Sequence, residues 1–124
     1  MTVAATFTRN VGDDDGSVIQ FTWTLLTANA DGNYFKYPQW ADICFTAIGT
    51  FGGATLTIEG NNDGGTVWLP LSNAAGGAAA TATANKAMTI IERPLYIRPN
   101  LTAVGVGASI TVIATCRRTQ PLKI

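Results

Sequence analysis

Ala54-Thr-Leu-Thr-Ile-Glu-Gly-Asn-Asn-Asp-Gly-Gly-Thr-Val-Trp-Leu-Pro-Leu71 decides the fold class of this chain. Leu56 and Ile58 alternate with Thr55, Thr57 and Glu59, the period of a strand with one buried face. Gly60 to Gly65 supplies Gly, Asn and Asp, residues that tolerate positive φ and turn a chain sharply. A second apolar run, Val67-Trp68-Leu69, follows at once. The spacing predicts a β-hairpin, and the rest of the chain repeats its grammar of Thr-rich alternation broken by Gly/Asn/Asp turns.

Working outward, Ser17 to Thr27 reads as a long strand with Ile19, Phe21, Trp23 and Leu25 on one face. Asp42 to Ile48 is a strand with Ile43, Phe45 and Ala47 on one side; Cys44, Thr46 and Ile48 on the other leave room for cover on both faces. Met88 to Glu92 and Leu95 to Arg98 are strands, the latter limited by Pro94 and Pro99. Ser109 to Arg118 closes the fold, with Ile110, Val112, Ala114 and Cys116 facing in. Val3 to Thr8 is a weak strand or an arm, and Ala28 to Asn33 is a turn. Tyr34 to Trp40 holds Pro38, so it is an edge segment or irregular connection. Gly76-Gly77 and alternating Thr-Ala argue against a helix in the Ala-rich Asn73 to Ala84, leaving a loop or weak strand.

Seven or eight strands with turn signals between them give a single-domain all-β, antiparallel β-sandwich. A jelly roll is the first choice and an immunoglobulin-like sandwich the alternative. The expected organisation is an arm or first strand plus loop over 1–16, the sandwich over 17–118 and a short extended tail over 119–124. A chain of 124 residues buries roughly two-thirds of its unfolded surface, enough for a core without staples.

Eight basic and eight acidic residues cancel, and charged residues make up only 13% of the chain, against about 25% in a typical soluble domain. Sparse charge protects a surface poorly against association, so copies or partners are expected to cover part of it. No basic excess points to nucleic acid, and no apolar run reaches the ~20 residues of a membrane helix. Met1-Thr-Val-Ala-Ala-Thr-Phe lacks a basic start and an apolar stretch, so no signal peptide is expected and synthesis is assigned to a cytoplasm. There Cys44 and Cys116 are expected as buried free thiols, too far apart in sequence for a metal site.

The chain has no histidine, which removes His-activated nucleophiles and the commonest general base and zinc ligand. Of the carboxylates, Asp42, Glu59 and Glu92 lie in or beside strands, where solvent-facing or ion-paired roles suffice. Asp13-Asp14-Asp15 lacks the alternation of a calcium loop and reads as a solvated acidic turn. Asp63 is a turn residue. The expectation is a protein that is not an enzyme and needs no cofactor or metal. Trp23 reads as core, and Trp68 as core or rim. Tyr34, Phe35, Tyr37 and Trp40 form the candidate exposed aromatic patch, suited to a protein interface or to sugar rings. Arg93 with Arg98, and Arg117 with Arg118, are basic pairs that either discourage edge pairing or make bidentate contacts to an acidic partner.

Two of these stretches carry a resemblance. Thr57-Ile-Glu-Gly-Asn-Asn-Asp-Gly-Gly-Thr-Val-Trp-Leu-Pro-Leu71 with its Gly/Ala/Thr-rich sequel, and Glu92-Arg-Pro-Leu-Tyr-Ile-Arg-Pro99 with its closing strand, resemble small virion structural proteins of tailed bacteriophages. Within that group the nearest role is capsid decoration, or cement. The likeness spans roughly residues 54 to 118, and Asn61 stands where the pattern usually has Ser. It implies a jelly roll or related sandwich on the outside of an assembled capsid, with the major capsid protein as partner. It also implies a dimer or trimer whose loops or termini reach neighbouring subunits. Such proteins define no catalytic residue, so none is carried over. A tail, baseplate or head-fibre component and a glycan-binding module are the competing readings.

Overall fold

The computed structural model describes residues 2–3, 6–9, 18–24, 30–32, 35–36, 42–63, 66–92, 94–105 and 107–117. They form β1 (Thr2–Val3), β2 (Thr6–Arg9), β3 (Val18–Thr24), β4 (Ala30–Gly32), β5 (Phe35–Lys36) and β6 (Asp42–Thr50). The second half adds β7 (Thr55–Asn61), β8 (Leu69–Pro70), β9 (Thr81–Ala82), β10 (Lys86–Thr89), β11 (Tyr96–Thr102) and β12 (Ser109–Arg117). No helix occurs among the described residues.

The strands make two sheets. One runs β10-β6-β12-β3-β2; the other runs β1-β4-β11-β7-β8, with β5 also on β11 and β9 also on β7. Every described pairing is antiparallel except the short parallel contact of β1 with β4. Early and late strands interleave: β3 pairs β12 in one sheet and β4 pairs β11 in the other.

Period-2 alternation explains the packing. Ile110, Val112, Ala114 and Cys116 of β12 are all buried, while Thr111, Ile113 and Thr115 between them are half-buried on the other face. Leu56 and Ile58 of β7, with Ile97 and Leu101 of β11, close over them from the second sheet in one apolar cluster. Trp23 is fully buried at its heart, its ring 6.2 Å from that of Phe45. Ala80 and Ala82 are also buried, so the Ala-rich stretch contributes the weak strand β9 and small core residues. The outer side of β6 is half-buried at Cys44 and Thr46 and exposed at Ile48.

The described residues form twelve strands where seven or eight were expected, because several short segments pair onto the edges of longer ones, and several boundaries move: β6 runs on past Ile48 to Thr50, paired with Ser109 of β12. Ala28 to Asn33, read as a turn, contains β4, held by pairing with β11 despite weak strand formers. The Met88 to Glu92 strand starts earlier, at Lys86, and ends at Thr89. Pro99 does not end its strand: β11 runs on to Thr102, with Pro99 opposite Ile58. On its other side β11 meets β5 at Tyr96 and Ile97 and β4 at Asn100 and Leu101. Pro99 falls between these two short ladders, where no described residue needs its missing N–H.

Candidate functional site

The quoted hairpin forms as predicted, with Glu59 opposite Pro70 and Gly60 opposite Leu69. Its turn starts later than the sequence suggests. Gly60 and Asn61 are buried strand residues, not turn residues. A Cβ on Gly60 would lie 2.6 Å from both Leu71 Cδ2 and Pro94 Cγ, so this position admits little more than hydrogen. The second apolar run is not core either. Val67 and Leu69 are 54% and 63% exposed, and Leu71 is the arm's buried residue. Three consecutive apolar residues cannot all face one side of a strand.

Beyond Gly60 the tip is tied together by side chains. The Asn61 amide donates to the Asp63 carboxylate and to the Val67 carbonyl, and its oxygen accepts the Asp63 N–H at 3.0 Å. Asp63 Oδ1 accepts the N–H of Thr66 at 3.0 Å, and Oδ2 that of Val67 at 3.1 Å. The donations from Val67 and Thr66, with help from Asn61, hold the Asp63 carboxyl below its ordinary value. The Asn62 oxygen accepts the Leu95 N–H at 2.8 Å, fastening the tip to the chain entering β11. Glu92 accepts from the Ser72 N–H and hydroxyl, each at 2.6 Å. Burial pushes the Glu92 carboxyl up, but these two bonds, with the backbone N–H of Glu92 itself, outweigh it and the net shift is downward.

A groove of about 540 Å³ lies in this corner, lined by Gly60, Asn61, Asp63, Leu69, Leu71 and Pro94 among others. Val67, Leu69, Ile91 and Leu95 are exposed on or beside its walls; the remaining large exposed apolar side chain among the described residues is Ile48. The arrangement is a rigid apolar corner, whose carboxylates are already engaged by the chain's own donors. Among the described residues no three His, Cys, Asp or Glu side chains gather as a metal site. The sequence reading missed Val67, Leu69, Ile91 and Leu95 as a group; the signal present was Pro70, which marks an edge strand beside an apolar run.

The predicted basic residues are not brought together. Arg98 lies on the outer face of the β7–β11 sheet, its Nε 3.0 Å from Glu59 Oε1 directly across the ladder. Its guanidinium carbon sits 4.2 Å from the centre of the Trp68 ring, which places Trp68 at the rim. Arg117 is on the other sheet, opposite Asp42, in a second groove of about 430 Å³ that includes Cys44, Thr89 and Thr115. Phe35 pairs through its backbone with Ile97. Tyr34, Tyr37, Trp40, Arg93, Arg118 and the Asp13 to Asp15 run lie outside the described residues. Both cysteines are free; Cys116 is buried as expected and Cys44 only half-buried.

No protein-family profile and no curated protein matches the sequence. The fold is similar to that of the SPBc2 prophage-derived protein YomS, with a TM-score of 0.63 at 11% identity, over 80% of this chain and 93% of that one. At that identity the likeness is one of fold. Hydroxypropylphosphonic acid epoxidase from S. wedmorenis overlaps more loosely, with a TM-score of 0.41 at 12% identity. That match covers 82% of this chain and 44% of the epoxidase.

Proposed function

We propose that this chain is a phage virion structural protein that binds the outer surface of the assembled capsid. There it cements neighbouring major capsid protein subunits against internal pressure, as a homo-oligomer without catalytic activity. The observation that carries the reading is the hairpin corner: exposed apolar residues held on a backbone locked by Asn61, Asn62 and Asp63. A preorganised apolar surface loses little entropy on docking, which suits contacts repeated many times over a shell. A sandwich fold shared with a prophage-derived protein supports the phage setting. The interleaved strand order supports the jelly roll over the immunoglobulin-like sandwich, whose last two strands share one sheet; here β11 and β12 lie in different sheets.

The test compares particles with and without the protein. Particles lacking it should break at lower temperature or pressure, and equal fragility would overturn the cementing role. Copy number separates this reading from a tail, baseplate or fibre part: hundreds per particle for decoration, a few to tens otherwise. Leu69→Asp should lower occupancy of particles about tenfold or more, because one buried leucine contributes about 1.5–3 kcal/mol.

A further inference from the structure

We propose that the groove at the hairpin corner takes a lysine side chain, presented by a partner segment with an apolar residue on each side of it. The inference rests on the reading above that this corner meets a partner, and it adds the chemistry that the partner must present.

The described walls of the groove, which encloses about 540 Å³, have two characters. Val67, Leu69, Leu71 and Pro94 make them apolar. Asp63 and Glu92 make them acidic, and no Lys or Arg stands among the described lining residues. The chain as a whole balances eight basic against eight acidic residues, so the excess is local. Both acidic residues are exposed. Both carboxyls are held below their ordinary values, so both are charged at neutral pH. The nearest described guanidinium along β11, that of Arg98, is engaged by Glu59 on the outer face of the sheet.

Apolar walls beside two negative charges select an occupant with an apolar body and a positive end. A lysine fits: its four-carbon stem lies along leucine and proline while its ammonium reaches the carboxylates. Carboxylate geometry separates lysine from arginine. Asp63 accepts the Thr66 N–H on Oδ1 and the Val67 N–H on Oδ2; Glu92 accepts the Ser72 N–H on Oε1 and the Ser72 hydroxyl on Oε2. With a donor already on each oxygen, the parallel pair of acceptors that a guanidinium fork needs is taken, whereas an ammonium acts as a point charge. The partner is a peptide segment because exposed apolar surface continues past the groove at Ile91 and Leu95, where the lysine's neighbours find contacts. Side chains must carry the recognition. β8 is two residues long and one of them is Pro70, which has no N–H to offer an added strand.

The experiment titrates end-blocked tripeptides into the purified full chain, without capsid, and follows the amide chemical shifts of Gly60, Leu69 and Leu71 through the millimolar range. Leu-Lys-Leu should give saturable shifts and bind about threefold to tenfold tighter than Leu-acetyllysine-Leu, which keeps the stem and lacks the charge. Leu-Arg-Leu should bind no tighter than Leu-Lys-Leu, and Leu-Glu-Leu should bind weakest. Glu92→Gln should cut the preference for the charged lysine to about twofold or less. Arg93→Gln should keep or raise it; Arg93 adjoins Glu92 in sequence and lies outside the described residues. Asp42→Asn, on the other sheet, should leave it unchanged. Thermal melts confirm that each variant is folded, and the wild-type comparison of lysine with acetyllysine stands without them. No saturable shift at these amides, equal binding of the lysine and acetyllysine peptides, or tighter binding of the arginine peptide overturns the proposal. So does a lysine preference that survives Glu92→Gln or is lost in Arg93→Gln. A corner that ignores every peptide while Leu69→Asp still lowers particle occupancy removes only this inference. A corner that selects lysine while particles lacking the protein stay equally robust removes only the proposed function.

Discussion

Asn61→Ala probes whether the hairpin corner is locked by its side chains. Asn61 is 2% exposed, and its amide serves three partners within the tip: the Asp63 N–H, the Asp63 carboxylate and the Val67 carbonyl. Truncation deletes all three bonds. The partners it frees, Asp63 and Val67, are exposed and can turn to water, so the loss is near the ordinary net value of about 1 kcal/mol per bond. The expected destabilisation is about 2–3 kcal/mol, which for a domain of this size lowers Tm by about 6–15 °C. Near-ultraviolet circular dichroism on heating, with a urea titration at constant m, reads it directly. Asn61→Asp sharpens the test. It keeps the acceptor for the Asp63 N–H but turns a carboxylate oxygen toward the Asp63 carboxylate and the Val67 carbonyl. It should be at least as damaging at about pH 7 and recover in acid, because protonating either carboxyl removes the repulsion. An Asn61→Ala protein that melts within about 2 °C of wild type would refute the reasoning, since changes that small belong to surface positions without structural bonds.

Four further outcomes are expected. Gly49→Ala should cost at least about 3 kcal/mol, because Gly49 has φ of 136° and a Cβ there would lie 2.0 Å from the Ser109 carbonyl oxygen; a urea midpoint equal to wild type would contradict this. Trp23→Ala, deleting a ring buried against Phe45, should cost about 3–5 kcal/mol, and a melt shifted by less than about 3 °C would argue against Trp23 as the centre of the core. Asp63 is held below its ordinary 3.8, so its contribution is present above that value and is lost as pH falls through the lowered one; Asp63→Asn should therefore be less stable than wild type near neutrality and converge with it in acid, and a gap that persists at low pH would count against the carboxylate. Burial pushes the Cys116 thiol up to about 12, so a thiol-reactive disulfide should label Cys44 alone in the native protein and Cys116 only after unfolding; equal rates at both would refute the burial.

What the sequence determined by itself is whatever rests on local chemistry. Ile110, Val112, Ala114 and Cys116 face the core because side chains in a strand alternate, and that period is written in the chain. The β-sandwich, the hairpin at Ala54 to Leu71 and the core role of Trp23 were legible for the same reason. Only the tertiary structure decided the points where a neighbouring strand overrides local preference. Pro99 stays inside β11 because it falls between the ladders to β4 and β5, where no described residue needs its missing N–H, and Ala30–Gly32 is a strand because β11 pairs with it. Gly60 belongs to a strand because Ile97 and Leu69 pair with it on either side, and it is glycine because Leu71 and Pro94 close over the place a side chain would occupy. The candidate site follows that division. Asn-Asn-Asp-Gly-Gly announces a turn, but which of Val67, Trp68 and Leu69 stays in water depends on where Arg98, Leu71 and Pro94 come to lie. Those three are distant in sequence from the turn or screened by its geometry, and only packing brings them together.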